Sequence, residues 1–471
     1  MGEALSAGAR AKAVLPRLQD ILGDRVSAAR GTREQYGRSE AYREPTLPDL
    51  VAKPLTTVEI QAIVRACRVA NVPIVPFGAG TSLEGNASAV AGGLCLDLGG
   101  MDQVLQVNAA DMDVRVQPGI RRKALNAFLR DTGLFFPIDP GADASIGGMT
   151  STRGSGTMAV RYGTMRDNVL SLEVVLPDGR AIRTSRRARK SAAGYDLTRL
   201  FVGAEGTLGI ISEVTLRLHP QPEAIAAAVC PFGSLAQAVE TAVLVMQSAI
   251  PVARIELLDE VMIRGVNRHS GLTYPETPTL FLEFHGSPAG VAEQAALVEA
   301  IAADGGGQGL QWATEPEARS RLWHARDNTL YAGRGLRPGS EAIITDVCVP
   351  ISALVQCLTE TRADAAAAGL TAPIVGHVGD GNFHMLILVD PADANEIARA
   401  REVHARMVSR AVALDGTCTG EHGIGTGKID YLQDELGDAV DIMRVIKRAI
   451  DPSGMMNPGK IFRPTAGAVA G

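Results

Sequence analysis

The residues best suited to chemistry lie in two stretches, PIVGHVGDGNFHMLILVD from Pro373 to Asp390 and GEHGIG from Gly420 to Gly425. In the first, the aliphatic runs Ile374 to Val378 and Phe383 to Val389 flank Gly379-Asp380-Gly381-Asn382, residue types that tolerate positive φ, so it reads as strand, tight turn, strand. With those four residues as the loop, His377 is expected opposite His384, both imidazoles on one face with Cβ atoms ~4.5–5.5 Å apart. Glu421 adds a hard oxygen donor, and two imidazoles with one carboxylate suit Zn, Mn or Fe while leaving positions open for substrate. His422, beside such a metal, would be a base. The plainer alternative is a pair of satisfied sheet histidines among glycines that only turn the chain. The paired geometry and the second Glu-His motif together favour the metal site.

These residues need a large scaffold, and 471 residues with 46% hydrophobic content supply two to three domains with sizeable cores. A net charge of −6 proposes neither nucleic acid nor an acidic membrane surface as partner. Six cysteines without a CxxC read as reduced core residues. The N-terminal stretch carries Glu3, Asp20 and Asp24 and no uninterrupted apolar core, so it reads as an ordinary first helix and not as a signal or transit peptide. A cytoplasmic protein is expected, with peripheral membrane association left open.

Along the first half, Thr56-Thr57-Val58-Glu59 is a capping box opening a helix whose buried face is Ile60, Ile63, Val64, Cys67 and Ala70. A short strand, Val72 to Phe77, then feeds Gly78-Ala79-Gly80-Thr81-Ser82-Leu83-Glu84-Gly85-Asn86. Such a loop exposes backbone N–H groups that can cradle a phosphate, although it is neither a Rossmann fingerprint nor a P-loop. Two more Gly-rich tracts follow, from Pro137 to Gly163 and from Gly203 to Ile211. Long irregular polar stretches of this kind usually lie against a ligand, and three of them imply an elongated one.

PFGAGTSLEGN, IDPGADASIGGMTSTRGSGTMAVRYGTMRDNV and GYDLTRLFVGAEGTLGIISEVTLRL resemble the FAD-binding domain of the vanillyl-alcohol-oxidase or para-cresol-methylhydroxylase (PCMH) family, and the second half resembles the matching FAD-linked oxidase C-terminal domain. The likeness runs roughly from Asp49 to Phe462. Ile344 to Ser352 and Val375 to His384 carry a further likeness to the family's FAD-dependent D-lactate dehydrogenases of cytochrome type and glycolate oxidase D subunits. The resemblance implies an α+β fold: a PCMH-type FAD-binding domain of two α/β subdomains over 49–222, a cap of antiparallel sheet and helices over 223–415, an N-terminal segment 1–48, and a segment 416–471 returning to the active site.

It also implies FAD contacts at Pro76, Gly78, Ala79, Gly80, Thr81, Ser82, Gly85, Asn86, Pro140, Gly147, Gly148, Ser151, Thr152, Gly154, Gly156, Val160, Glu205, Gly206, Ile210 and Ile211. With no His before His219 and no Cys in the phosphate loop, the FAD is expected to be non-covalent. Arg186, Arg187, Arg189 and Lys190 read instead as a solvated loop.

In the second half, Pro220-Gln221-Pro222 marks a boundary, followed by strand AIAAAVCPF, helix SLAQAVETAVLVMQSAI, strand TPTLFLEFHG, helix VAEQAALVEAIAA and a strand near Leu310 to Ala313. By resemblance, Arg326 clamps the substrate carboxylate, a role its planar fork suits better than a lysine would. Relatives acting on longer diacids place a lysine where Thr345 stands, so a small monoacid is expected. His219, His269, His285, His324 and His404 read as structural, His404 on an exposed helix side.

The expected reaction is oxidation of a small D-2-hydroxy acid, D-lactate to pyruvate. FAD takes the hydride, a Zn or Mn ion on His377, His384 and Glu421 acidifies the hydroxyl, His422 accepts its proton, and Arg326 orients the carboxylate. The electron acceptor is expected to be a cytochrome, a quinone or an electron-transfer flavoprotein, and a homo-oligomer is left open. The alternatives are a glycolate oxidase FAD subunit, a D-2-hydroxyglutarate dehydrogenase, a flavin-free metallohydrolase on the same three ligands, and an FAD-loaded scaffold without turnover.

Overall fold

The computed structural model describes residues 7–38, 41 and 44–463. Glu3, on which the reading of the N-terminus partly rests, lies outside them. The chain divides into two compact bodies, one of Met1–Ser155, Thr164–Pro220 and Glu421–Gly471, the other of Gly156–Gly163 and Gln221–Gly420. The short segment Gly156–Gly163 thus leaves the first body for the second, which no composition shift announced.

In the first body the helix Thr57–Val69 begins where the Thr56 side chain accepts the Glu59 N–H, and it buries Ile60, Ile63, Val64 and Cys67. Asn71 ends it with a left-handed φ of 50°. This helix is the crossover between parallel strands, since Leu50–Ala52 and Ile74–Phe77 both pair in parallel with Leu94–Asp97. Val26–Ser27 closes the edge of that four-stranded sheet in the antiparallel sense. A second, five-stranded sheet is antiparallel throughout and is centred on Ile210–Arg217. Each sheet has its own core, one around Ile60, Ile74, Leu94 and Met456, the other around Val114, Phe136, Leu172 and Val214.

The second body is built on an antiparallel sheet of eight strands among the described residues. Its order runs Gln311–Ala313, Ala224–Pro231, Thr279–Gly286, Val252–Leu258, Ile374–His377, Asn382–Val389 and Glu341–Ile344, with Val347–Cys348 also pairing to Asn382–Val389. The strand Val252–Leu258 was not anticipated from the sequence, and it is central. It alternates Arg254 and Glu256 on one face with Ile255 and Leu257 on the other.

The hairpin differs from expectation in register. Its turn is Val378 to Gly381, closed by the Asp380 N–H on the His377 carbonyl at 3.0 Å, and Asn382 is the first residue of the returning strand. His377 therefore pairs with Asn382 and His384 with Val375, not with one another. Asn382 is drawn into the strand because its side-chain amide donates to Asp346 Oδ1 at 2.8 Å and to the Val347 carbonyl at 2.7 Å. The shift is by two residues, so parity is preserved and both imidazoles stay on one face.

Gly381 makes this turn at φ +81°, and a Cβ there would meet the Val349 carbonyl oxygen at 2.0 Å. Gly381→Ala is expected to destabilise the second body by about 1–3 kcal/mol, the range for an enforced strained backbone, read as a lower denaturant midpoint. An unchanged midpoint would mean that the turn has another way to close.

Candidate active site

One face of the second body's sheet gathers ionisable groups from four strands. Glu283 lies opposite Arg254, Phe281 opposite Glu256, and Glu256, one step from the Leu257–Gly376 pair, comes opposite His377. The His377 and His384 rings meet edge to face with centroids 5.5 Å apart. His384 Nδ1 lies 3.1 Å from the Thr345 carbonyl, which can only accept, so Nδ1 carries the proton and the lone pair of the neutral ring is on Nε2. His377 Nδ1 is likewise 2.7 Å from Glu256 Oε1, a carboxylate oxygen. Both imidazoles are thereby fixed in the tautomer that offers Nε2 as a ligand atom, the arrangement in which histidines hold metals.

Arg326 comes to the same face from the helix Pro316–Asp327, whose Leu322, Trp323 and Ala325 pack with Val229, Leu258, Phe281 and Val375. Its side chain is buried, and its guanidinium donates through Nε at 2.8 Å and Nη2 at 2.5 Å to Glu256 Oε2, with Nη1 3.4 Å from Thr329 Oγ1. Three of its five N–H groups are engaged, which leaves two for a carboxylate. Glu256 is fully buried and bonds to both the His377 ring and the Arg326 guanidinium. Burial alone would raise its pKa, but His377 and Arg326 beside it overcome that and hold it below the usual carboxylate value.

Asp346, also fully buried, accepts from Asn382 and from Thr419 Oγ1 at 2.7 Å, tying the end of this body, Thr417 to Gly420, to the sheet. Thr345, too, is buried, and its hydroxyl accepts the Met385 N–H at 2.9 Å. Neither Glu256 nor Asp346 was among the expected site residues. The alternation of VARIELL, with Arg and Glu two apart, was the available signal for the first.

In the first body, the N–H groups of Gly78, Ala79, Gly80 and Thr81 have no acceptor among the described residues. Consecutive undirected N–H groups at the end of a strand fit a pyrophosphate. A Cβ at Gly78 would meet Ser145 Oγ at 2.3 Å and displace the hydroxyl that caps Gly148 N–H, and Gly80 has φ +73°. Glu205 and Asn86, expected as cofactor contacts, have their side chains engaged within the protein. Glu205 accepts from Asn86 Nδ2 at 2.7 Å and from the N–H groups of Ile424 and Gly425 at 2.7 and 2.9 Å, and Asn86 Nδ2 also reaches the His422 carbonyl at 3.2 Å. Ser155 Oγ donates to Glu421 Oε2 at 2.7 Å. The loop bearing Glu421 and His422 is thus fastened at three points. The C-terminal run joins in, with Asn457 Nδ2 donating to the carbonyls of Asn86 and Glu205 and Lys460 Nζ to that of Ser88.

Of the other expected contacts, Pro76, Ser82, Gly85, Pro140, Gly147, Gly148, Ser151, Thr152, Gly154 and Gly206 belong to this first body, whereas Gly156 and Val160 belong to the second. Ile210 and Ile211 point into the two cores, which ties them to packing. His285 is structural, bonded through Nε2 to Glu283 at 2.8 Å and through Nδ1 to Tyr162 Oη at 2.8 Å. His404, expected to be exposed, is half-buried, because its helix turns Val403 and Met407 inward on either side of it.

A body with a free-N–H glycine loop and a second body with a histidine-bearing sheet fit a flavin-dependent oxidoreductase, and comparison with known proteins gives that class. Residues 48–185 match the family model described as FAD binding domain, and residues 221–461 match FAD linked oxidases, C-terminal domain. The chain belongs to this FAD-linked oxidase family, with the PCMH-type fold. It is 51% identical over 457 residues to a probable mitochondrial D-lactate dehydrogenase of Danio rerio, covering 96% of this chain and 92% of that one. It is 46% identical to a mitochondrial D-lactate dehydrogenase [cytochrome] of Arabidopsis thaliana, covering 96% and 80%. Among solved structures, p-cresol methylhydroxylase superposes with a TM-score of 0.78 at 18% identity, covering 96% of each chain, a likeness of fold. The expectation of a cytoplasmic protein is overturned by these relatives, whose names place them in mitochondria.

Burial pushes Glu205 up to about 6 even though Ile424, Asn86 and Gly425 donate to it. A carboxyl raised in the folded state gives stability that is complete below its unfolded pKa and is lost as pH rises through the folded one. Relative to Glu205→Gln, the wild-type protein is expected to lose about 2 kcal/mol in all as pH rises from well below 4.5 to well above 6. Parallel stability curves for the two proteins would show that this carboxyl does not titrate there.

Proposed function

We propose that the chain is an FAD- and metal-dependent dehydrogenase that oxidises a small D-2-hydroxy acid, D-lactate to pyruvate, and passes the electrons to a cytochrome. The observation that carries this reading is the single sheet face on which two imidazoles present Nε2 while Glu256 holds Arg326 beside them. His377 and His384, with Glu421 next in the chain to Gly420, are the donor set for a Zn or Mn ion, which when bound supplies Lewis acidity toward the substrate hydroxyl. FAD supplies the hydride acceptor, flavin N5.

The chain's own residues do the remainder. Arg326 binds the substrate carboxylate through the two N–H groups that Glu256 and Thr329 leave to it, which fixes the direction of the α-C–H bond. His422 takes the hydroxyl proton as the hydride leaves, so that one proton and one hydride account for the conversion of alcohol to ketone. Thr345 offers no charge to a second carboxylate, since it is buried with its hydroxyl on Met385, which favours a monoacid.

Anaerobic mixing of the flavoprotein with D-lactate is expected to bleach the flavin band, with L-lactate inert and glycolate and D-2-hydroxyglutarate slower. Fastest bleaching by D-2-hydroxyglutarate would overturn the monoacid assignment, and no bleaching by any of them would overturn the dehydrogenase. His422→Ala should lower kcat by about 10²–10⁴, the usual contribution of a general base, with FAD content unchanged. Near-normal turnover in that variant would remove His422 from the reaction.

A further inference from the structure

We infer that Glu256 is a positioning residue that links the metal ligand to the carboxylate clamp. One buried carboxylate fixes His377 as an Nε2 ligand and, through its other oxygen, fixes the plane of Arg326. The inference rests on the metal reading proposed above and deepens it. The geometry is specific. Oε1 receives His377 Nδ1 at 2.7 Å, and Oε2 receives both Nε and Nη2 of Arg326. Nothing else among the described residues donates to either oxygen, and the side chain is 1% exposed.

A buried carboxylate between two such donors has little freedom. Taking it out of water is costly, and that cost is met only while both partners are in place. The arrangement therefore transmits position in both directions. His377 cannot swing without breaking the Oε1 bond, and Arg326 cannot turn its Nε edge to substrate without leaving Oε2. The edge of Arg326 that meets a ligand is the one bearing the remaining Nη hydrogens. Negative charge on Glu256 also draws on the Nδ1 proton and makes Nε2 a better electron-pair donor.

Glu256→Gln isolates this role because it preserves volume while halving the acceptors. An amide has a single oxygen. If that oxygen faces Arg326, its NH₂ faces His377 Nδ1, and the ring must move its proton to Nε2 and lose the ligand lone pair. If the amide flips, its NH₂ faces the guanidinium and the clamp is disordered instead. The first orientation keeps the charged donor satisfied and is the one expected.

The test is calorimetric titration of the chelator-treated, FAD-loaded full chain with Zn2+ and, separately, with Mn2+. Glu256→Gln is expected to weaken binding by about 10–100-fold, the usual effect of removing the outer partner of a metal-bound histidine, with flavin content close to wild type and a lower melting temperature, because Arg326 loses its counter-charge. Glu256→Asp keeps the charge but draws the carboxylate back by one methylene, so it should show a smaller loss. It carries the test should the Gln variant not fold. Wild-type affinity in both variants would overturn the inference while leaving the metal reading intact, provided that His377→Ala abolishes binding. Absence of a stoichiometric site in the wild-type chain itself would overturn the metal reading, and this inference with it.

Discussion

The antiparallel ladder between Ile374–His377 and Asn382–Val389 is the constraint on which the candidate active site depends. In such a ladder, the face on which a side chain stands is set by the parity of its pairing, and a slip of one residue would send one imidazole through the sheet. The turn at Val378 to Gly381 and the capture of the Asn382 amide by Asp346 fix that parity. Once both rings share a face, the Thr345 carbonyl and the Glu256 carboxylate determine which nitrogen each ring presents. The chemistry of the site thus follows from backbone register first and side-chain hydrogen bonds second.

Placing this much charge on a sheet face is costly unless each group is answered. The second body answers it in pairs laid across neighbouring strands. Glu256 stands between His377 and Arg326, Glu283 between His285 and Arg254, and Arg254 in turn lies over the Trp323 ring at 4.4 Å. The same face is apolar beyond these pairs, where Leu258, Phe281, Val375 and Leu386 pack against Met262, Ile263 and Leu322. One sheet face therefore serves as core along part of its length and as a rigid mount for ionisable groups along the rest.

The first body works by a different economy of hydrogen bonds. Buried polar groups in proteins are almost always satisfied, and here Glu205 accepts the Ile424 and Gly425 N–H groups, Asn86 donates to the His422 carbonyl and Asn457 to the carbonyls of Asn86 and Glu205. The consecutive N–H groups from Gly78 to Thr81 have no acceptor among the described residues. A loop held from behind and unanswered in front is preorganised for an anionic ligand.

Much of this was legible in the residue order. Local rules govern the helix begun by Thr56, the strand into the glycine loop, the hairpin with both histidines on one face, and the family to which these motifs belong, because capping, turn chemistry and period-two alternation act over a few residues. Other features depend on groups far apart in the chain. Arg326 reads from the sequence only by resemblance as a carboxylate clamp, and its burial against a glutamate 70 residues away is seen in the structure alone. Glu205 reads as a cofactor contact, yet its carboxylate holds a turn more than 200 residues later. The two-residue difference in hairpin register came from Asp346, outside the hairpin altogether. The sequence by itself determined which residue types could do the chemistry and the local elements that carry them, because those follow from short-range sterics and periodicity. Only the tertiary structure decided which donor each buried acceptor answers, because that choice is made where distant segments are packed out of reach of water.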